Sequence, residues 1–177
     1  ILAAHALSRI PAVPTSTSWI TYLRCHDDIG WAIDDHDASA VQLNGFEHRN
    51  FLSNFYAGDF DGSFAEGLVF QHNPETGDKR ISGTSASLAG VGAAQASADA
   101  RRLDDAIGRV LIGYAVILGW GGLPVIWSGD EIGTLNDPNW AEVHDHAGDN
   151  RWANRPPLDW SVVDSLSDDP ASPAARV

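Results

Sequence analysis

The sequence predicts an α/β fold, on three observations. The apolar run Trp19-Ile20-Thr21-Tyr22-Leu23 is β-branched and aromatic, follows a Pro/Ser/Thr cluster, and empties into Arg24-Cys25-His26-Asp27-Asp28-Ile29-Gly30-Trp31, as a buried strand does when its end emerges into a polar loop. Residues 100–118 carry a helical apolar stripe. After a Gly-rich turn, a second apolar run at residues 123–127 has the length of another buried strand.

Taken in order, residues 1–10 carry apolar side chains at positions 2, 6, 7 and 10 with Arg9 near the end, the pattern of a helix stopped by Pro11. Pro11 to Ser18 is the loop into the first strand, residues 19–25. Past Trp31 and the acidic Asp34-Asp35-His36-Asp37, the spacing of Leu43, Phe46, Phe51, Leu52 and Phe55 predicts two short helices. Residues 56–92 are rich in Gly, Ser, Asp and Asn with little periodicity. Residues 32–98 therefore read as one long insertion between the strand and its helix, of the kind that carries function.

The helix from Ala100 to Leu118 presents Leu103, Ala106, Ile107, Val110, Leu111, Tyr114, Ile117 and Leu118 on one face. Val110 to Trp127 is uncharged over 18 residues, a length that raises a membrane span. Gly119, Gly121, Gly122 and Pro124 interrupt it, which makes it helix, turn and strand instead. Asn136 to Trp152 is a polar loop past the second strand. From Asp159 the tail is Ser, Asp, Pro and Ala, with an end expected to be partly mobile.

The 177 residues hold 11 Lys and Arg, Lys79 being the one Lys, against 24 Asp and Glu; the net charge of -13 argues against a nucleic-acid partner. Cys25 is the one cysteine, so an internal disulfide and a Cys-based zinc site are excluded, and a reducing compartment such as the cytoplasm is compatible. The chain has no Met and begins at Ile1, which reads as a piece of a longer protein; the lack of a secretory or transit pattern then says nothing.

A His and two carboxylates at the C-terminal end of a core strand is how a β/α barrel builds its active site. A polar surface turn is the other use of such a tripeptide. Three strings carry a closer likeness: Arg-x-His-Asp-Asp-Ile-Gly-Trp at Arg24 to Trp31, Asn-Pro-x-Thr-Gly-Asp-x-Arg-x-Ser-Gly-Thr at Asn73 to Thr84, and Gly-Asp-Glu-Ile-Gly-Thr-Leu-Asn-Asp at Gly129 to Asp137. Together they resemble the amylosucrases, retaining α-glucosyltransferases of the α-amylase superfamily.

The resemblance runs from about Trp19 to Pro156 and implies a fragment of a (β/α)8 TIM barrel, about strand 7 to strand 8 and the following loop, with a long insertion after strand 7. In those terms residues 1–31 are the end of a barrel helix, a loop and strand 7. Residues 32–98 are an insertion like the family's extra (B'-like) subdomain, residues 99–157 are helix 7, strand 8 and the active-site loop, and residues 158–177 are the tail. Two strands cannot close a barrel of eight, so the remainder of the barrel is an expected partner.

By resemblance Asp27 is the superfamily's third carboxylate, neither nucleophile nor acid, which binds the 2- and 3-hydroxyls of the sugar. A charged acceptor suits that role, because the hydroxyls become more acidic as positive charge builds and the bonds strengthen at the transition state. The resemblance implies that His26 donates to the same sugar and that Asp28, with Arg80 as its partner, touches the sugar in the adjoining subsite. Arg151 matches an Arg that pairs with an Asp from an early barrel loop and closes the pocket around one glucosyl unit; that Asp lies outside this chain. Gln71 and Arg49 match positions lining the acceptor channel, with His72 where a Tyr is often found. Asp130 and Glu131 match supporting residues. The nucleophile and general acid follow two earlier strands, and no residue before Pro11 supplies them.

The implied reaction takes sucrose, forms a β-glucosyl-enzyme, releases fructose and passes glucose to an α-1,4-glucan. It needs no cofactor, because the activated bond of sucrose supplies the free energy. A sucrose hydrolase or other α-glucosidase of the superfamily is the near alternative, and a non-catalytic carbohydrate-binding fragment the distant one. Taken singly, Arg49, Gln71, Arg80 and Arg151 are also ordinary surface residues, and Trp31, Phe64 and Phe70 serve either sugar stacking or core packing. His144, Asp145, His146 and Asp149 are ligand types without a dedicated metal spacing, so no metal site is expected. Cys25 and His26, as strand neighbours, point to opposite faces and form no thiol-imidazole pair.

Overall fold

In a computed structural model, which describes residues 1–75 and 77–177, the chain is a mixed α/β structure with two separate two-stranded sheets and no closed barrel among the described residues. Thr76, a member of the motif at residues 73–84, lies outside the described residues.

Helix α1 (Leu2–Ser8) ends before Pro11, where the sequence stops it. Strand β1 (Ile20–Thr21) follows. The acidic run forms one short helix, α2 (Asp35–Ala40), and where the apolar spacing of residues 43–55 suggests two short helices there is one, α3 (Gly45–Tyr56). Each starts on a side chain that accepts the orphan amides of the first turn: Asp34 takes His36 N and Asp37 N, and Asn44 takes Glu47 N at 3.1 Å.

The stretch at residues 56–92, whose composition reads as loop, contains regular structure that its sequence hides. Strands β2 (Leu68–His72) and β3 (Lys79–Ser82) form an antiparallel hairpin with a register irregularity between Val69 and Gln71. Helices α4 (Ser85–Ala89) and α5 (Val91–Ser97) come next, hinged at Gly90 with φ 84°. Every residue of α4 is buried. Ser and Ala give no apolar period to read, yet they allow α4 to lie close under its neighbours.

Helix α6 (Ala100–Gly119) is capped by Asp99 and buries Ala106, Ile107, Val110, Tyr114 and Ile117. These pack with Ala86, Ala89, Val91 and Ala94, so the core sits between α4, α5 and α6. Leu111 and Leu118, placed on the same stripe from sequence, are exposed. Among the described residues no helix is long and apolar enough to cross a membrane. The tail forms α7 (Trp160–Ser165) and α8 (Pro173–Arg176), and Val177 packs against the core cluster.

Strand β4 (Leu123–Pro124) pairs with β1 in parallel, Ile20 opposite Leu123 and Thr21 opposite Pro124, extended by Leu123 N to Trp19 O and Val125 N to Thr21 O. The chain therefore runs strand, insertion, helix, parallel strand, which is a β/α unit with a long excursion. Both strands are shorter than residues 19–25 and 123–127. They are also not buried: Ile20 is 64% and Leu123 61% exposed. A parallel pair reads as a continuous apolar run because it needs cover on both faces. Here Thr21 Oγ1 donates to Ile117 O of α6 at 3.1 Å, while Ile20 and Leu123 have little cover among the described residues.

Gly122 sets how near the two strands come. Its φ is +98°, and a Cβ there would lie 2.5 Å from Trp19 O. Both the left-handed backbone and the clash with a main-chain atom penalise Gly122→Ala, which is expected to cost about 2 kcal/mol or more, read as a lowered midpoint in thermal or urea unfolding followed by circular dichroism.

Candidate functional site

The exit of β1 is held in place from underneath. Arg24 is almost fully buried, and its guanidinium meets Asp130 at 2.9 Å and 3.0 Å from Nε and 2.6 Å from Nη2. Asp130 also accepts Tyr114 OH at 2.6 Å and Ser85 Oγ at 2.9 Å. Burial, reinforced by its bond to this carboxylate, pushes the Tyr114 phenol well above the usual tyrosine range. From its other side Arg24 donates Nη1 to Asn154 O at 3.0 Å. Glu131, the other supporting residue implied by resemblance, accepts Gly129 N at 2.7 Å and shapes its own turn.

Asn154 belongs to a 3-10 segment, Asn150–Asn154, which with Arg155 grips the main chain of the His-Asp-Asp tripeptide. Arg155 Nε donates to His26 O at 2.9 Å, and Asn154 Nδ2 reaches Asp27 O at 3.4 Å. The hairpin grips it from the opposite side: Ile29 N donates to Ile81 O at 2.7 Å, and Ile81 N to Ile29 O at 3.0 Å. That bridge sets Arg80, the neighbour of Ile81, beside Asp28.

The resulting cluster holds three carboxylates and three guanidiniums. Asp27 is half exposed, with Oδ1 2.8 Å from Arg151 Nη1 and 3.6 Å from Arg155 Nη2. Asp28 is buried, with Oδ2 2.5 Å from Arg80 Nε and Oδ1 3.9 Å from Arg151 Nη1. The Arg80 contact is a charge contact off the hydrogen-bonding axis, and Asp28 Oδ2 has no aligned donor. Arg80 Nη1 also reaches Gln71 Oε1 at 3.4 Å. His26 lies against Trp127, ring centroids 4.8 Å apart, with Nε2 3.8 Å from Asp27 Oδ2.

So His26, Asp27, Asp28, Arg80, Arg151 and Gln71 come together, and Arg49 serves elsewhere. Its Nη1 donates to Ile33 O at 2.7 Å and to Asp35 at 2.8 Å, which ties α3 to the turn before α2. Within this chain, which lacks the Asp that the resemblance assigns to it, Arg151 has other partners. Asp149 takes it in a two-point grip, Nε to Oδ1 at 2.8 Å and Nη2 to Oδ2 at 2.7 Å, leaving Nη1 for Asp27. Phe70 lies under the guanidinium at 4.4 Å. The grip holds the Asp149 carboxyl below the usual aspartate range, chiefly through the Arg151 side-chain bond, which outweighs the opposing effect of burial and is helped by the Arg151 backbone amide.

The aromatics with two possible uses all have protein neighbours: Trp31 stacks on Tyr56 at 5.2 Å, and Phe64 carries Arg109 at 3.7 Å. His146 stacks on Trp152 at 3.7 Å. Among the described residues, no three His, Cys, Asp or Glu side chains are grouped to hold a metal ion.

Sequence reasoning passed over Arg24, Asn154 and Arg155. A signal for Arg24 was present, because a charge at the end of one apolar run with a second charge, Asp130, just after the other is how a buried ion pair reads before it is seen. Asn154 and Arg155 act through main-chain contacts, which leave no mark on residue type. No protein-family model matches the chain.

Removing one partner of a buried pair strands the other charge, so Asp130→Ala is expected to cost about 3–5 kcal/mol. Tyr114→Phe, which deletes one donor to the same carboxylate, should cost about 1.5–3 kcal/mol. Chemical denaturation of both variants tests the order.

Because the Asp149 carboxyl is held below its ordinary value, its link to Arg151 is at full strength above that ordinary value and fades as pH falls through the lower folded one. A carbonyl-detected NMR titration should place its midpoint below the ordinary aspartate value, and Arg151→Gln should return it most of the way.

Proposed function

We propose that this chain is the strand 7 to strand 8 part of a (β/α)8 barrel in an amylosucrase-like enzyme that transfers glucose from sucrose to an α-1,4-glucan with release of fructose. The observation that carries the reading is the contact of Asp28 with Arg80, two residues that the resemblance pairs across separate motifs and that meet at 2.5 Å. The parallel pairing of β1 with β4 through α6 agrees with consecutive barrel strands. The exposed Ile20 and Leu123 of that pair are what the remaining β/α units would cover.

In this role Asp27 steadies the oxocarbenium-like centre through the sugar hydroxyls, His26 donates beside it, and Asp28 with Arg80 and Gln71 holds the second sugar. A sugar entering would have to displace Arg151 Nη1 from Asp27 Oδ1. In the parent barrel, as the resemblance implies, that arginine pairs instead with an Asp from an early barrel loop. The carboxylates beside Asp27 are Asp28 and Asp149, each already facing an arginine, so neither is free to act as nucleophile or acid. A carbohydrate-binding piece without catalysis is the second reading, favoured by the absence of a carboxylate beside Asp27 that could serve as nucleophile or acid among the described residues.

The test compares the isolated chain and the full-length enzyme. The 177-residue chain should release no fructose from sucrose above background. In the full-length enzyme, Asp27→Asn should lower kcat by about 10²- to 10³-fold, roughly 3–4 kcal/mol, with a much smaller change in KM. Arg80→Ala should lower glucan formation more than sucrose cleavage. Loss of less than about tenfold at Asp27 would overturn its role, a far smaller effect than removal of an oriented charge produces.

A further inference from the structure

A cavity of about 410 Å³ opens between the β1 exit, the end of α3, α4 and α6, away from the cluster around Asp27. It falls within the ~300–1,000 Å³ of small-molecule sites. Its walls are apolar: Leu23, Leu88, Ile112, and the rings of Tyr56 and Phe64. Arg24 and Ser85 also line it, but both are engaged with Asp130, and two further polar groups break the apolar wall. Trp31 lines it too, and its Nε1 is buried with no acceptor. Arg109 is the second.

Of the 11 Lys and Arg, only Arg101 and Arg109 lack a carboxylate at ion-pair distance among the described residues, and Arg101 is an exposed side chain at the start of α6. Arg109 is half-buried, with Nε spent on Ala89 O at 2.9 Å and its plane on Phe64 at 3.7 Å. Its two terminal nitrogens have no protein acceptor among the described residues. Burial lowers the pKa of this guanidinium, against the opposing charge effects of Asp105 and Tyr56. Arg109 is thus a half-buried guanidinium with no carboxylate at ion-pair distance among the described residues, and its two terminal nitrogens are left to an acceptor from outside the chain.

We propose that this cavity binds a small amphiphilic carboxylate, with an apolar or aromatic body against Leu23, Leu88, Ile112 and Tyr56 and its carboxylate on Arg109, assisted by the Trp31 indole N–H. A planar guanidinium takes a carboxylate through two parallel bonds, and the flat apolar walls accept a ring. The proposal does not depend on the sucrose reading, because the cavity shares no catalytic residue with it.

The test titrates the 177-residue chain with 4-phenylbutyrate and with 4-phenyl-1-butanol, which has the same body and no charge. The Trp31 indole N–H is followed by ¹⁵N-correlated NMR and assigned with Trp31→Phe. Phenylbutyrate should shift that resonance and bind about tenfold or more tightly than the alcohol, the scale of a hydrogen bond to a charged group. Arg109→Gln should remove the preference and leave the alcohol's affinity unchanged. Equal affinities, an unmoved Trp31 signal, or a preference that survives Arg109→Gln would each overturn the proposal. Should that variant not fold, Trp31→Phe, which keeps the ring on Tyr56, should reduce the preference severalfold as measured by calorimetry; an unchanged preference overturns it equally.

Discussion

The contact between Arg24 and Asp130 decides where the rest of this molecule goes. It ties the exit of β1 to the turn after β4, draws the start of α4 in through Ser85 and the middle of α6 in through Tyr114, and reaches Asn154 across the back of the site. Two charges removed from water repay their desolvation only when every remaining donor and acceptor is used, and here the carboxylate accepts from three residues. The pair therefore specifies an arrangement as much as it stabilises one. Any packing that moved β1 against β4 would leave a bare charge inside.

The exposed cluster depends on that arrangement at one remove. Asp27 and Asp28 are consecutive, yet one lies open beside Arg151 and the other is buried beside Arg80. Their main chain is fixed from both sides, by the 3-10 segment that ends at Asn154 and by the bridge from Ile29 to Ile81. The guanidiniums are fixed in turn, Arg151 by Asp149 and Phe70. Side chains on a half-open surface keep a geometry only when backbone and partners are both determined.

How much of this could be read beforehand varied with the kind of signal. Helices α3 and α6 announced themselves through apolar spacing, and the parallel unit through two apolar runs flanking a long helix; α2, on an acidic run, did not. Arg80 and Asp28 were paired through motifs, while Arg49, drawn from the same likeness, clamps a turn. The hairpin and α4 escaped because a strand of Lys, Arg, Ile and Ser and a helix of Ser and Ala show no alternation of polarity; what forms them is contact with Ile29, Asp130 and α6. The strands themselves came out shorter and barer than expected, since an apolar run records a need for cover without supplying it.

The order in which the chain acquires its structure follows from one distance along it. Arg24 and Asp130 are separated by 106 residues, and the pairing of β1 with β4 spans a similar length. Closing such a loop costs entropy that grows with the logarithm of its length, about 0.6 kcal/mol per doubling, and returns nothing until both ends meet. The hairpin and the packing of α4 and α5 on α6 join residues close in sequence and need no such closure. The insertion and its helices thus condense early, and the parallel unit, with the buried charge pair that organises it, is completed last.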